Sequence, residues 1–309
     1  MRKPAALLAL AAATCLLAAC GSAARAPLPA DRAPSVGPAT GTLAAGETLP
    51  IAAYQFTPGQ LKVEAAAYVL LYNRCMAAHG FSGLAEPSDD RRDFDPMVGR
   101  YGADADGYAT SGYHYKAFYV SGRAGTAAPA WAVEAKAKGR ATRSADEQRV
   151  ADGSVRSYGG ADVPVGGCEG DAKRQLVDGG GYYGPPELPG RIDADSFDRS
   201  LTDPRVVAGF AAWSACMAEG GRPYPDPLSA ATDRRWHTPE PTPEELATAR
   251  TDLACKGRTG LVPTWLHAEQ RLQQAAIAEH GAELAAVKAG EQTSVRTATT
   301  VTGVGPTPP

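Results

Sequence analysis

The side chains of this sequence best suited to chemistry are its six cysteines, its five histidines and several clustered carboxylates. Cys75, Cys168, Cys216 and Cys255 are scattered widely. None lies two residues from another and no histidine pair accompanies them, so the short spacing that builds a zinc site is missing. An even set of scattered cysteines reads instead as disulfides, provided the chain is exported. Four cysteines leave three pairings open. Cys75–Cys168 with Cys216–Cys255 is preferred, because each bridge then stays within its own segment. Such loops would each stabilise the fold by about 4 kcal/mol, less any strain.

The histidines are His79, His114, His237, His267 and His280. His79 follows Met76 by three residues, a spacing that admits a thioether–imidazole copper pair but equally a helix-end imidazole bonded to the last carbonyls. His267 and His280 are thirteen apart and share no helix face. His114 lies between Tyr113 and Tyr115 in a polar segment. With Asp104 or Asp106 it is the candidate catalytic group for hydrolysis. Asp104-Ala105-Asp106-Gly107 has the start of a calcium loop, but Tyr115 stands where the distal Glu should be. Gly-x-Ser-x-Gly, His-Glu-x-x-His and the phosphate-binding glycine patterns are all missing. Catalysis is therefore the lesser expectation, and neither a metal nor a cofactor is expected. Tyr101, Tyr108, Tyr113, Tyr115, Tyr119, Tyr158, Tyr182 and Tyr183 are a richer clue. Tyrosines among glycines suit recognition, since a rigid ring gives contact area at low entropy cost. They suit covering a thin core equally well.

The address is written at the start of the chain. Arg2 and Lys3 precede an Ala/Leu run from Ala5 to Ala19 that is too short to span a bilayer. It closes with Leu17-Ala18-Ala19-Cys20-Gly21, which resembles the bacterial lipobox. Cleavage before Cys20 and lipidation of its thiol would anchor the chain on the extracytoplasmic face of the cell membrane, with the bilayer as its first partner. Residues 1–19 are then a signal peptide and 20–49 a disordered Ala/Pro/Gly tether. Loss of Arg2 and Lys3 takes the formal charge from -3 to -5. No basic stripe remains, which excludes nucleic acid as an expected partner. The composition is 44% hydrophobic but alanine-heavy, with only 7% aromatics, so the core must be lean.

The elements that position these groups read as helices. Thr57-Pro58-Gly59-Gln60 predicts a capping box and a helix to about His79, placing Cys75 in its last turn. Residues 81–128 read as loops with short helical turns and one short strand near Tyr113–Ser121. Residues 129–150 read as helix, with Ser144 and Glu147 as a capping box. A short helix follows from Cys168 to Val177, and then a Gly/Pro break over Gly179–Gly190. Asp203-Pro204 opens a helix ended by Gly220-Gly221. Thr242-Pro243-Glu244-Glu245 opens another, stopped at Gly257. Pro263 begins a long helix to about Ala289. The expected architecture is mainly α: disulfide-stapled helices with long irregular Gly/Tyr-rich loops and a minor β element at most. It falls into segments 50–190 and 191–290, with a disordered tail over 291–309.

Arg74-Cys75-Met76-Ala77-Ala78-His79-Gly80 is echoed by Ala215-Cys216-Met217-Ala218-Glu219-Gly220. A helix ending in Cys-Met-x-x-x-Gly, followed by Tyr224-Pro225-Asp226-Pro227 and a returning helical cysteine, is similar to actinobacterial (Streptomyces-like) extracytoplasmic lipoproteins. The resemblance covers about a quarter of the chain, residues 205–260 best. It implies an envelope location and a disulfide, and carries no activity. The expected function is a non-enzymatic module that binds an envelope protein or polymer through residues 100–185. The alternative is a hydrolase of wall polymer or peptide.

Overall fold

The computed structural model describes residues 41–44, 46–82, 97–114 and 143–306. Cys20, the signal region and the helix expected over 129–142 lie outside them. The fold is mainly helical. The described residues form α1 (Pro58–Ala78), α2 (Tyr108–Ser111), α3 (Ala145–Asp152), α4 (Gly167–Val177), α5 (Glu187–Ser200), α6 (Pro204–Glu219), α7 (Pro227–Ala231), α8 (Pro243–Thr259), α9 (Leu261–Glu279) and α10 (Gly281–Thr302). One small hairpin pairs Ser157 with Asp162 and Tyr158 with Ala161.

Local chemistry sets most helix starts. Thr57 and Ser144 form reciprocal capping boxes with Gln60 and Glu147. Asp203, Asp226 and Thr242 each accept a backbone N–H at the start of α6, α7 and α8. Proline at the first helical position follows all three caps.

Both preferred disulfides are present. Cys75–Cys168 joins α1 to α4, and Cys216–Cys255 joins α6 to α8. The apolar interior has three centres. One gathers around Trp213, with Tyr108, Tyr113, Met217 and Trp236. A second surrounds Trp265, with Ile51, Tyr101, Phe197 and Leu266. The third lies between α1, α3 and α4, with Leu71, Met76, Val150 and Leu176. Each buried indole N–H is satisfied: Trp213 by Asp252, Trp236 by the Ala230 carbonyl, Trp265 by Ser200.

Several expectations are corrected. The tail is not disordered from Glu291, since α10 continues to Thr302. Its residues look weakly helical in isolation, but Ala298 and Val301 complete the third core against α1 and α4. This contact also joins the two expected segments, and residues 38–309 form one compact unit. The predicted helix from Pro263 to Ala289 breaks at His280, which is C-cap of α9 and N-cap of α10. Gly257 does not stop α8; Gly260, at φ +62°, does. Short helical turns over 108–111 and 112–114 meet the expectation, the second standing where the strand was expected to begin, and the hairpin lies instead at 157–162. The end of the tether is docked, with Leu49 buried and Leu43 donating to the Asp104 carbonyl at 2.8 Å. Helix α5 replaces the end of the expected Gly/Pro break.

The loop before α5 is seated on α10 by a close approach. The Ser294 hydroxyl accepts from the Tyr182 N–H at 2.5 Å and lies 2.6 Å from the Tyr182 carbonyl. The Tyr182 ring covers Gly290, where a Cβ would collide with its edge. Replacing Gly290 by Ala gains helix propensity but forces the ring out of its seat. The expected result is a net loss of about 1–3 kcal/mol in chemical denaturation, where an exposed helical glycine would have shown a gain.

Candidate functional site

The three residues proposed for hydrolysis do not converge. Asp104 is fully buried and closes its own turn, accepting from Gly99 N–H at 2.7 Å and Tyr101 N–H at 2.9 Å. Burial pushes its carboxyl up to about 7, against those two N–H groups and nearby Lys256. Asp106 is exposed. His114 meets a different carboxylate, Glu245, whose side chain is fully buried. Its Nδ1 lies 2.8 Å from Glu245 Oε1 and its Nε2 lies 2.6 Å from the Thr238 carbonyl.

Both partners of the ring are acceptors, so it must carry two protons to satisfy them. Burial opposes that charge, but the Thr238 carbonyl and Glu245 outweigh it and raise the imidazole pKa. A doubly engaged imidazolium has no nitrogen left to take a proton from a substrate. His114 is therefore a clamp between the 112–114 turn and α8. Glu245 also explains why the predicted box at Thr242 closes only halfway. Thr242 accepts from Glu245 N–H, but the Glu245 side chain turns to His114 and its backbone N–H instead of back to the cap.

Two buried charge networks hold the segment carrying these residues. Arg100 Nε bonds Glu269 at 2.9–3.0 Å, and its Nη2 reaches Asp193 at 2.8 Å. Tyr101 donates to the same Glu269 at 2.8 Å. Beside it, Lys256 Nζ donates to the Ala103 carbonyl at 2.7 Å and pairs with Asp252 at 3.1 Å. Asp252 also accepts from Tyr113 and Trp213. Apart from the partly exposed Asp193 these groups are buried, and they are mutually paired, which marks them as structural.

The tyrosines divide into two groups. Tyr101, Tyr108 and Tyr113 are buried and cover the lean core. Tyr115 and Tyr119 lie outside the described residues. A different set gathers on one face of α1, where Tyr68, Tyr72, Cys75 and His79 follow at spacings of four, three and four. Tyr68 lies 6.3 Å from Tyr72 and 5.1 Å from Tyr183 between ring centroids. Lys173 sits 5.7 Å above Tyr183 and Arg143 5.3 Å above Tyr72. Arg143 also bonds Glu169 on α4 at 2.7 Å. Tyr183 is 39% exposed and Tyr68 half-buried. The result is an aromatic surface of Tyr68 and Tyr183 flanked by cations, with Tyr72 buried beneath it in the third core, built from α1, α4 and the loop seated on Gly290. By sequence Tyr101, Tyr108 and Tyr113 carry the same weight as Tyr182 and Tyr183, and burial separates them.

Beneath this surface Glu64 and Glu291 face each other between α1 and α10. Glu64 accepts from Gly184 N–H at 3.2 Å. Burial, together with Glu64, pushes the Glu291 carboxyl up to about 7 against the pull of Lys288. In comparison with known proteins, no family model, no curated protein and no solved structure matches this chain. The class that fold and surface define is a disulfide-stapled, mainly helical protein with an aromatic, cation-flanked face.

Raised pKa values in the fold, those of Glu291, Asp104 and His114 among them, make stability fall as pH rises. Glu291 and Asp104 hold protons in the fold up to about 7 that the unfolded chain has lost in the ordinary carboxylate range. His114, raised above its ordinary value, stabilises fully below its unfolded pKa and loses that contribution as pH passes its folded one. Thermal unfolding should therefore occur at lower temperature at about pH 8 than at about pH 6. Glu291→Gln should make the slope shallower. His114→Ala, which strands the buried Glu245 charge, should cost about 2–4 kcal/mol.

Proposed function

We propose that the protein is a lipid-anchored module of the bacterial envelope that binds a polymer through the α1 tyrosine face without catalysing a reaction. The single observation that carries this reading is the cluster Tyr68–Tyr72–Tyr183 with Lys173 and Arg143 above its rings. Aromatic faces stack on the C–H faces of sugars, and the cations suit carboxylate or phosphate groups carried by wall polymers. The two disulfides support an oxidising, extracytoplasmic setting. The Leu17-Ala18-Ala19-Cys20 sequence supports cleavage and lipidation at Cys20. No helix among the described residues is long and apolar enough to cross a membrane. Against the hydrolase alternative stands the clamped imidazole of His114, whose two nitrogens already face acceptors.

Two measurements test the reading. Co-sedimentation with purified cell-wall polymer should show binding, weakened about fivefold by Tyr183→Ala and further by adding Tyr68→Ala, at unchanged thermal stability. Equal binding by the double variant would remove the surface from consideration. Intact mass of protein extracted from membranes should equal residues 20–309 plus lipid, with four thiols appearing only on reduction. An unlipidated mass would remove the anchor.

A further inference from the structure

The two cysteine-bearing helix ends share one backbone design and differ in the residue at the helix C-cap, among other side chains. At the end of α1, Gly80 N–H donates to the Ala77 carbonyl at 3.0 Å and Phe81 N–H to the Met76 carbonyl at 3.2 Å. At the end of α6, Gly221 N–H donates to Ala218 at 2.9 Å and Arg222 N–H to Met217 at 2.9 Å. Gly80 and Gly221 take φ of +84° and +72°. These are matching Schellman closures, with a disulfide cysteine immediately before each methionine. The C-cap residue is His79 in the first and Gly220 in the second.

The difference at the C-cap puts an imidazole one turn beyond Cys75 on the same face. A ring nitrogen of His79 and the sulfurs of Cys75 and Cys168 all lie within 4.8 Å of one another. Among the described residues this is the one such grouping of ligand-type side chains. The Cys216–Cys255 bridge has no counterpart to it. His79 is 9% exposed, and its Nδ1 is buried with no hydrogen-bond partner. Leaving such an atom buried and unpaired is unfavourable, and a folded chain seldom carries that penalty without a use. Met76 does not join His79, since its side chain is fully buried in the core. Cys168 is the second residue of the 11-residue helix α4, where backbone N–H groups and the helix dipole favour a thiolate. Cys75 is partly buried, whereas Cys168 is fully buried, so the Cys75 side of the bridge is the one nearer solvent.

We propose that Cys75, Cys168 and His79 form a redox-gated site for a thiophilic divalent cation of the zinc type, masked while the disulfide is closed. In the cell, a dithiol supplies two electrons and two protons. The S–S bond breaks, both cysteines become thiols, and the dithiol closes to its own disulfide. Cation binding then displaces both thiol protons to solvent. Two thiolates and one imidazole provide three ligands and leave the fourth tetrahedral position to water. The sulfurs must part to about 3.8 Å, the edge of a tetrahedron with zinc–sulfur bonds of about 2.3 Å.

The test uses the full chain and cobalt(II) as a spectroscopic stand-in for zinc. Reduction is by a water-soluble phosphine, which takes its oxygen from water and does not compete as a thiol. The reduced protein should bind one cobalt with a thiolate-to-cobalt charge-transfer band, displaced by zinc. The oxidised protein should show no band. Cys168→Ser should abolish the band, and His79→Ala should weaken cobalt binding about tenfold or more. The Cys216→Ser/Cys255→Ser variant should keep it. If that variant does not fold, reduced wild type compared with His79→Ala decides the matter. A reduced chain that binds no cobalt, a band that survives Cys168→Ser, or wild-type affinity in His79→Ala would each overturn the proposal.

Discussion

The ion pair of Arg100 with Glu269 is the interaction on which the rest of the fold depends. It fastens an irregular, glycine- and aspartate-rich segment to the longest buried face of α9, and Asp193 and Tyr101 complete the coordination. A charged pair in an apolar interior repays its desolvation only when nearly every proton and lone pair has a partner. Here Tyr101, Ser196 and Asp193 supply those partners. Lys256 with Asp252 repeats the solution one layer away, binding the Ala103 carbonyl and two aromatic donors. Removing one member would leave a buried charge alone, at a cost of about 3–5 kcal/mol.

This arrangement answers a shortage of apolar bulk. The sequence has few aromatics for its length, so Tyr101, Tyr108 and Tyr113 are drawn inward to fill space beside Trp213 and Trp265. Each buried hydroxyl or indole N–H then needs an acceptor, and carboxylates brought in for that purpose need cations. Polar networks and core filling are thus one problem. The disulfides act at a different level. They restrict the unfolded chain, and each ties a helix end to a later helix.

Two histidines show how environment separates roles. His114 is saturated by two acceptors and serves as a positively charged clamp. His79 has a buried nitrogen without a hydrogen-bond partner and lies against a disulfide. Their neighbours in sequence do not distinguish them, because the partners that decide each role, Glu245 and Cys168, come from distant parts of the chain. The tyrosines of the α1 face follow the same logic, with Tyr72 buried and Tyr68 and Tyr183 reaching the surface. Tyr68 and Tyr72 come from α1, while Tyr183 is delivered by a loop anchored on Gly290 and Ser294 of α10.

By itself the sequence determined what depends on neighbours a few residues apart. The caps at Thr57, Ser144, Asp203 and Thr242 were readable because a side-chain oxygen and an N–H two or three residues on suffice to close them. The helical class and the preferred cysteine pairing were readable for similar reasons, from periodicity and from segment order. Tertiary structure alone decided the course of α10, whose Thr- and Val-rich end is held by burial of Ala298 and Val301 rather than by propensity. It also decided that Glu245 leaves its capping box for His114, that Asp104 turns inward, and which tyrosines reach the surface. Those outcomes rest on contacts between residues far apart in the chain, and a one-dimensional pattern has no means of recording which distant group supplies a missing charge, acceptor or apolar wall.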